Sequence, residues 1–212
     1  MGRFRSHAEP ALWISIAAVA YFAAAEVGLR MALVGNQVTP LWPPTGVAVA
    51  CLFLFGLRVW PGITLGALAA DALLGPTLPA VVMIAAGNTA APVVAYLLLK
   101  RVGFRSDFDS VRDAVELVFL GALAAMLISA TLGTVTLVVA GAISAHGFWG
   151  TWSVWWTGDA MGVLLIAPLI LVGTRLRIPK TLSPLRESTW VTAWRRGCAR
   201  GARGCRCRRI VW

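Results

Sequence analysis

Two aspartates stand inside apolar runs of this chain, and any chemistry would have to start from them. Asp71 lies among Gly66, Ala67, Ala69 and Ala70, small residues that let helices approach closely, and nothing near it in sequence can pair with it. Asp159 follows Trp155-Trp156-Thr157-Gly158 and opens an apolar run that reaches Pro168. An ionisable group at such a place costs several kcal/mol if unpaired, so each is a functional candidate. Glu26 and Arg30 are spaced i, i+4, which predicts a local ion pair along one helix face. Asn88 and Thr89 fall midway along another apolar run, where an amide must find a partner across a helix interface or in a ligand. Ser129 and Thr131 read similarly, since hydroxyls there can also bond back to the preceding turn. Glu116 opens a further apolar run, where a carboxylate suits a helix N-terminus.

Catalytic signatures do not accompany these groups. The sequence contains no H-E-x-x-H, G-x-S-x-G, phosphate-cradling glycine loop or Ser/His/Asp order. An aspartyl mechanism needs two carboxylates sharing a proton; Asp71 and Asp159 formally supply them, but their flanks carry nothing of that chemistry. Cys198, Cys205 and Cys207 are spaced C-x6-C-x-C, without the close pairs of structural zinc sites, and His7 and His146 are remote. No catalytic residue, metal or cofactor is expected.

The elements that must position these residues are membrane helices. Of 212 residues, 58% are hydrophobic and 13% charged, and a water-facing surface cannot be assembled from what remains. A soluble enzyme, a disordered chain and a disulfide-stapled secreted module are excluded. Apolar runs near the ~20 residues needed to cross a bilayer predict an all-α, polytopic bundle of about six spans, at 11–34, 45–58, 61–74, 78–99, 114–140 and 151–172. The first carries no suitably placed small-residue cleavage site and reads as a retained helix. The Pro-rich stretch Thr39-Pro40-Leu41-Trp42-Pro43-Pro44 breaks the chain before the second. The second and third are short and predict a hairpin turning at Trp60-Pro61-Gly62. Trp149, Trp152, Trp155 and Trp156 at the start of the sixth suit a membrane–water interface.

A formal charge of +10 stands against this body, and position explains it. Arg3, Arg5, Arg58, Lys100, Arg101, Arg105, Arg112, Arg175, Arg177 and Lys180 all fall on one side if the N-terminus is cytoplasmic. The opposite loops, 35–44, 75–79 and 141–150, contain no Lys or Arg. Positive loops stay in the cytoplasm, so both termini are expected there. Seven arginines and no acid lie in 188–212, with three of the four cysteines. That run is suited to RNA or anionic lipid, yet its unpatterned Arg, Gly, Cys and Trp equally fit an out-of-frame or truncated coding end. The organisation expected is a short cytoplasmic segment at 1–10, a membrane-embedded bundle at 11–174 and a basic, disordered or aberrant cytoplasmic tail at 175–212.

An ordered set of short motifs runs along the chain. It begins with Leu41-Trp42-Pro43-Pro44-Thr45-Gly46 and Trp60-Pro61-Gly62, then Gly66-Ala67, Gly87-Asn88-Thr89, Phe108-Asp109 and Arg112-Asp113. It closes with Ser129-Ala130-Thr131-Leu132-Gly133, Trp155-Trp156-Thr157-Gly158-Asp159, Gly162-Val163-Leu164 and Ala167-Pro168, covering about residues 40–170. The set resembles the integral membrane sensor domain of the MASE type 1 family. The resemblance implies a bacterial inner-membrane sensory module whose family members carry a cytoplasmic histidine kinase, a diguanylate cyclase, or sensory and phosphatase domains. The family pattern runs through about two more spans, whereas this chain turns after Arg175 to a polar stretch and the basic tail, without a catalytic output domain of its own. The partners implied are the lipid bilayer, a homodimer, a separate histidine kinase or diguanylate cyclase, and a transporter-like membrane protein; nucleic acid is not expected. Trp42, Pro43, Pro44, Asp71, Asn88, Trp155, Trp156 and Asp159 are the candidates for ligand sensing or helix packing. A different reading treats the chain as a small six-span transport subunit or substrate-binding membrane protein, because short, Pro/Gly-interrupted spans resemble the broken helices that line transporter sites.

Overall fold

The computed structural model describes residues 8–30, 41–73, 77–108 and 110–176. Among them every regular element is helical. The chain divides into two units, 1–174 and 175–212; of the second only residues 175 and 176, the end of the last helix, are described. The basic Arg/Cys tail therefore lies outside the described residues.

Helix α1 spans Ala8–Leu29 and α2 spans Pro43–Phe55, entered through two prolines at positions where no intrahelical N–H is needed. Gly56, at φ +82°, ends α2, and a 3-10 turn at Leu57–Val59 leads directly into α3, Trp60–Ala72. Helix α4 spans Leu78–Val102 and ends at Gly103, whose left-handed φ of +82° lets the Phe104 N–H reach back to the Leu99 carbonyl at 3.0 Å. The next apolar run is α-helical at Val111–Glu116 (α5), π-helical at Leu117–Ala124, and α-helical again at Met126–Val139 (α6). A second 3-10 turn, Ala145–Gly147, precedes α7, Phe148–Leu176.

Among the described residues four helical stretches are long and apolar enough to cross a membrane: Pro10–Leu29, Leu78–Val102, Val111–Val139 and Ala145–Thr174. Helices α2 and α3 have 13 residues each. At ~1.5 Å per residue they reach roughly 20 Å, short of the ~30 Å hydrocarbon thickness. The expected sixth span also starts earlier and ends later than its apolar pattern, because the Trp-rich segment is helical from Phe148 onward.

Small residues set the packing, as expected where lipid is as apolar as the helix surfaces. Gly28 lies against Trp42 and Pro43, while Trp13 stacks on Phe55 at 4.4 Å, so α1 and α2 run antiparallel. Gly62 meets Ile14 and Ala17, and Gly66 meets Ala18 and Tyr21, so α3 runs parallel to α1. Thus α2 and α3 both lean on α1, and both also pack on α4. Helix α4 packs against α6, with Gly87 facing Leu132 and Ser129. One apolar cluster gathers around Tyr21, Leu52, Ile63 and Tyr96, a second around Val49, Leu99, Met126 and Val163.

The expected pair of Glu26 and Arg30 does not form. What joins them is a backbone bond from the Arg30 N–H to the Glu26 carbonyl at 3.3 Å. Near the end of α1 the Arg30 side chain is exposed, and two flexible chains there gain little by being held together. Glu116 is not the N-terminal residue of its helix either. Ser110 and Asp113 cap α5 reciprocally, and Glu116 accepts from Arg112 at 2.6 Å.

Candidate functional site

The core polar residues meet through the start of α2. The Trp42 backbone N–H donates to the Gly158 carbonyl of α7 at 2.9 Å. Gly46 and Gly162 lie so close that a methyl on Gly46 would collide with the Gly162 carbonyl, and one on Gly162 with the Trp42 carbonyl. Gly158 and Gly162 are four apart on one face of α7, the small-xxx-small spacing that lets backbones touch. Two sequence motifs, the Trp-Pro-Pro-Thr-Gly run and the Gly-Asp-x-x-Gly run, are therefore the two halves of one contact. Between them Thr45 donates its hydroxyl to Asp159 Oδ1 at 2.5 Å.

From Asp159 the polar contacts run across the bundle. Ser129 on α6 lies beside the Asp159 carboxylate and donates to Asn88 Oδ1 on α4 at 3.0 Å. The Asn88 amide in turn donates to Asp71 Oδ2 on α3 at 3.4 Å. Five helices, α2, α3, α4, α6 and α7, thus contribute to one buried row of Thr45, Asp159, Ser129, Asn88 and Asp71. None is more than 8% exposed, and Asp159 is fully enclosed. A sixth element, α1, brings Tyr21, 1% exposed, beside the Trp42 side chain and within electrostatic range of both aspartates. Asp71 and Asp159 are likewise within electrostatic range of each other. Among the described residues neither has a cationic partner, and Asp159 Oδ2 and the Tyr21 hydroxyl accept or donate no hydrogen bond. Pro92, four residues after Asn88, supplies no N–H to the Asn88 backbone carbonyl, leaving a further oxygen without its usual helical donor.

Of the residues singled out in the sequence, Trp42, Asp71, Asn88 and Asp159 converge here. Pro43 and Pro44 are buried where α2 begins and set its entry onto α1 and α7. Trp155 and Trp156 lie apart from the row and pack helices: the Trp155 ring covers Gly133, and the Trp156 indole donates to the Leu123 carbonyl in the π-helical stretch at 3.0 Å. Trp156 also stacks on Trp152, and Trp149 reaches outward at 72% exposure, continuing an aromatic edge. Thr89 bonds back to Ala85 and across to Thr64, a local helix–helix contact. Tyr21 and Thr45 carried no separate signal: a tyrosine in an apolar run and a threonine at a helix start are each common, and only packing brings them to the carboxylates. No group of three or more His, Cys, Asp or Glu suited to a metal occurs among the described residues.

The motifs that meet at this contact are matched as a set. The MASE1 family model matches residues 13–193. The chain belongs to the MASE1 family. MASE1 is a membrane sensor domain found in signalling proteins. The chain is similar to the probable diguanylate cyclase DgcE of Escherichia coli, at 28% identity over 149 residues. That stretch is 68% of this chain but 13% of the relative, so the MASE1 chain spans a small part of that protein's length. No solved structure matches the chain. The matched region includes every member of the buried row and Tyr21, and continues past the described end of α7.

Proposed function

We propose that this chain is the signal-perceiving membrane module of a bacterial signalling system, set in the plasma membrane with six passes and both termini in the cytoplasm. The observation that carries the reading is the buried polar row, in which a Thr45–Asp159 hydrogen bond between α2 and α7 lies beside a Ser129–Asn88–Asp71 chain through α6, α4 and α3. A stimulus transmits only if it favours one helix arrangement over another. Buried polar contacts suit that task, because a shift of one helix against its neighbours exchanges made bonds for unmade ones. Membership in a sensor family and the one-sided placement of Lys and Arg support it further. The six passes require α2 and α3 to cross as an abbreviated pair turning at Leu57–Val59, with Arg58 on the cytoplasmic side.

The output in this reading is cytoplasmic and follows α7. Similarity to a probable diguanylate cyclase favours cyclic di-GMP synthesis by a downstream domain or a separate partner; a histidine kinase is the other output compatible with such a module. The chain itself contributes perception and no catalytic step. The test fuses residues 1–176 to a diguanylate cyclase catalytic domain and reads cyclic di-GMP in cells. Asp159→Ala and Asn88→Ala are expected to shift output at normal expression, and unchanged output from both would overturn the reading. Alkaline phosphatase and fluorescent-protein fusions at 38, 58, 76, 106 and 144 check the sidedness.

One observation favours a second reading, a small transport subunit. The two 13-residue helices bring Thr45 and Asp71 from their ends into the core, as interrupted helices do around transported solutes. Solute uptake into vesicles that Asp71→Asn abolishes would select transport over sensing.

A further inference from the structure

We propose that the buried row around Asp71 and Asp159 is a binding site for a small, hard inorganic cation. The two aspartates sit within electrostatic range of one another, yet neither has a Lys, Arg or His partner among the described residues. The described cations lie elsewhere: Arg105 and Arg112 face their own acids in the α4–α5 corner, Lys100 lies over the Tyr96 ring, and Arg30, Arg58, Arg101 and His146 are exposed. Two carboxylates enclosed by helices and kept ionised need a compensating cation, because desolvation far outweighs what one hydroxyl or one amide returns.

Two further atoms point to where that charge sits. Asp159 Oδ2 is buried with no hydrogen bond, although Oδ1 of the same group is held by Thr45. The Tyr21 hydroxyl, on a different helix, is equally buried and unpartnered, with the Trp42 side chain beside it and both carboxylates within electrostatic range. Both are oxygens, as are the other groups at hand: Asp71, the Thr45 and Ser129 hydroxyls and the Asn88 side-chain carbonyl. An all-oxygen donor set with two formal negative charges suits Na⁺, K⁺, Mg²⁺ or Ca²⁺ and lacks the nitrogen and sulfur ligands that select zinc or copper. Thr45 and Asn88 hold the two carboxylates in place through Oδ1 and Oδ2 respectively, leaving the unbonded Asp159 oxygen for the ion.

The test measures binding, so it stands apart from any signalling output. The full chain is reconstituted in nanodiscs of zwitterionic lipid, and its thermal unfolding is followed at constant ionic strength. Choline chloride is replaced in turn by NaCl or KCl, or supplemented with MgCl₂ or CaCl₂. Binding predicts a saturable rise in Tm of roughly 5–10 °C for at least one ion at ~100 times its dissociation constant. Asp159→Asn should abolish that rise, and Tyr21→Phe should raise the half-saturating concentration roughly tenfold by removing one oxygen. Tyr21→Phe changes one atom in a buried ring and keeps the test available if Asp159→Asn does not fold. The proposal falls if Tm is the same in choline and in every ion. It also falls if the ion-dependent rise survives in Asp159→Asn, or if Tm follows pH alone, which would make a proton the compensating charge.

Discussion

The α4–α5 corner and the helix core both gather carboxylates, and they treat them in opposite ways. At the corner, Asp107 meets Arg105 at 3.5 Å and Glu116 meets Arg112 at 2.6 Å. Asp113 takes the Ser110 hydroxyl at 2.8 Å and the Arg105 backbone N–H at 3.1 Å. Arg112 also donates to the Val102 carbonyl at the end of α4, so the corner closes on itself with cations and caps drawn from its own short stretch of chain. In the core, Asp71 and Asp159 are 88 positions apart in sequence and reach only hydroxyls and an amide. The difference lies in what water and flexible cationic chains can do. At the corner the arginines are exposed and reach carboxylates within a few residues of themselves, so each contact is local; between helices no cation or neighbouring cap is at hand, so every partner must come from another helix and none can be lost without consequence.

That contrast predicts a graded series of effects. The largest should come from the backbone contact beneath the core row. Gly162→Val places side-chain atoms on the Trp42 carbonyl, which the helix cannot move aside, and should destabilise the bundle by about 3 kcal/mol in detergent unfolding followed by tryptophan fluorescence. A Gly162→Val protein as stable as the parent would show that α2 and α7 do not pack backbone to backbone. Next, Asn88→Leu keeps the volume but strips Asp71 and Ser129 of their shared partner, for a loss of about 1–3 kcal/mol in the same assay. If Asn88→Leu is neutral, the row does not act as one network.

Effects at the corner should be smaller and separable. Ser110→Ala removes the hydroxyl half of the α5 capping box and should cost about 1 kcal/mol, read as faster backbone hydrogen exchange at 111–116 with the core helices unaffected. Smallest of all, Arg105→Ala breaks one exposed pair and should change stability by less than about 0.5 kcal/mol, with that difference vanishing at high salt. An Arg105→Ala loss as large as that of Asn88→Leu would erase the distinction between the two regions.

Much of this was legible in the residues themselves. The helices, their order and the break before Pro43-Pro44 follow from apolar run length and proline chemistry, which act over a few residues, whereas the turn expected at Trp60-Pro61-Gly62 falls earlier, at 56–59, and those three residues open α3. Asp71, Asn88 and Asp159 stood out because a polar group inside an apolar run has few innocent explanations. The π-helical stretch at Leu117–Ala124 left no pattern of its own, since eight apolar residues look the same at either helical pitch. The failed Glu26–Arg30 pair shows the opposite limit: correct spacing makes a contact available, and exposure removes the reason to form it.

The sequence by itself determined that this is a membrane bundle of the MASE1 family, because hydropathy, charge placement and ordered motifs are properties of the linear chain. Only the tertiary structure decided which polar residues belong together. It set Thr45 on Asp159, Asn88 between Asp71 and Ser129, and Tyr21 beside both carboxylates, while Trp155 and Trp156 went to helix packing. The physical reason is distance along the chain. Partners 114, 41 and 17 residues apart are chosen by how closely glycine and alanine faces allow helices to approach, and that choice is made by the packed bundle as a whole.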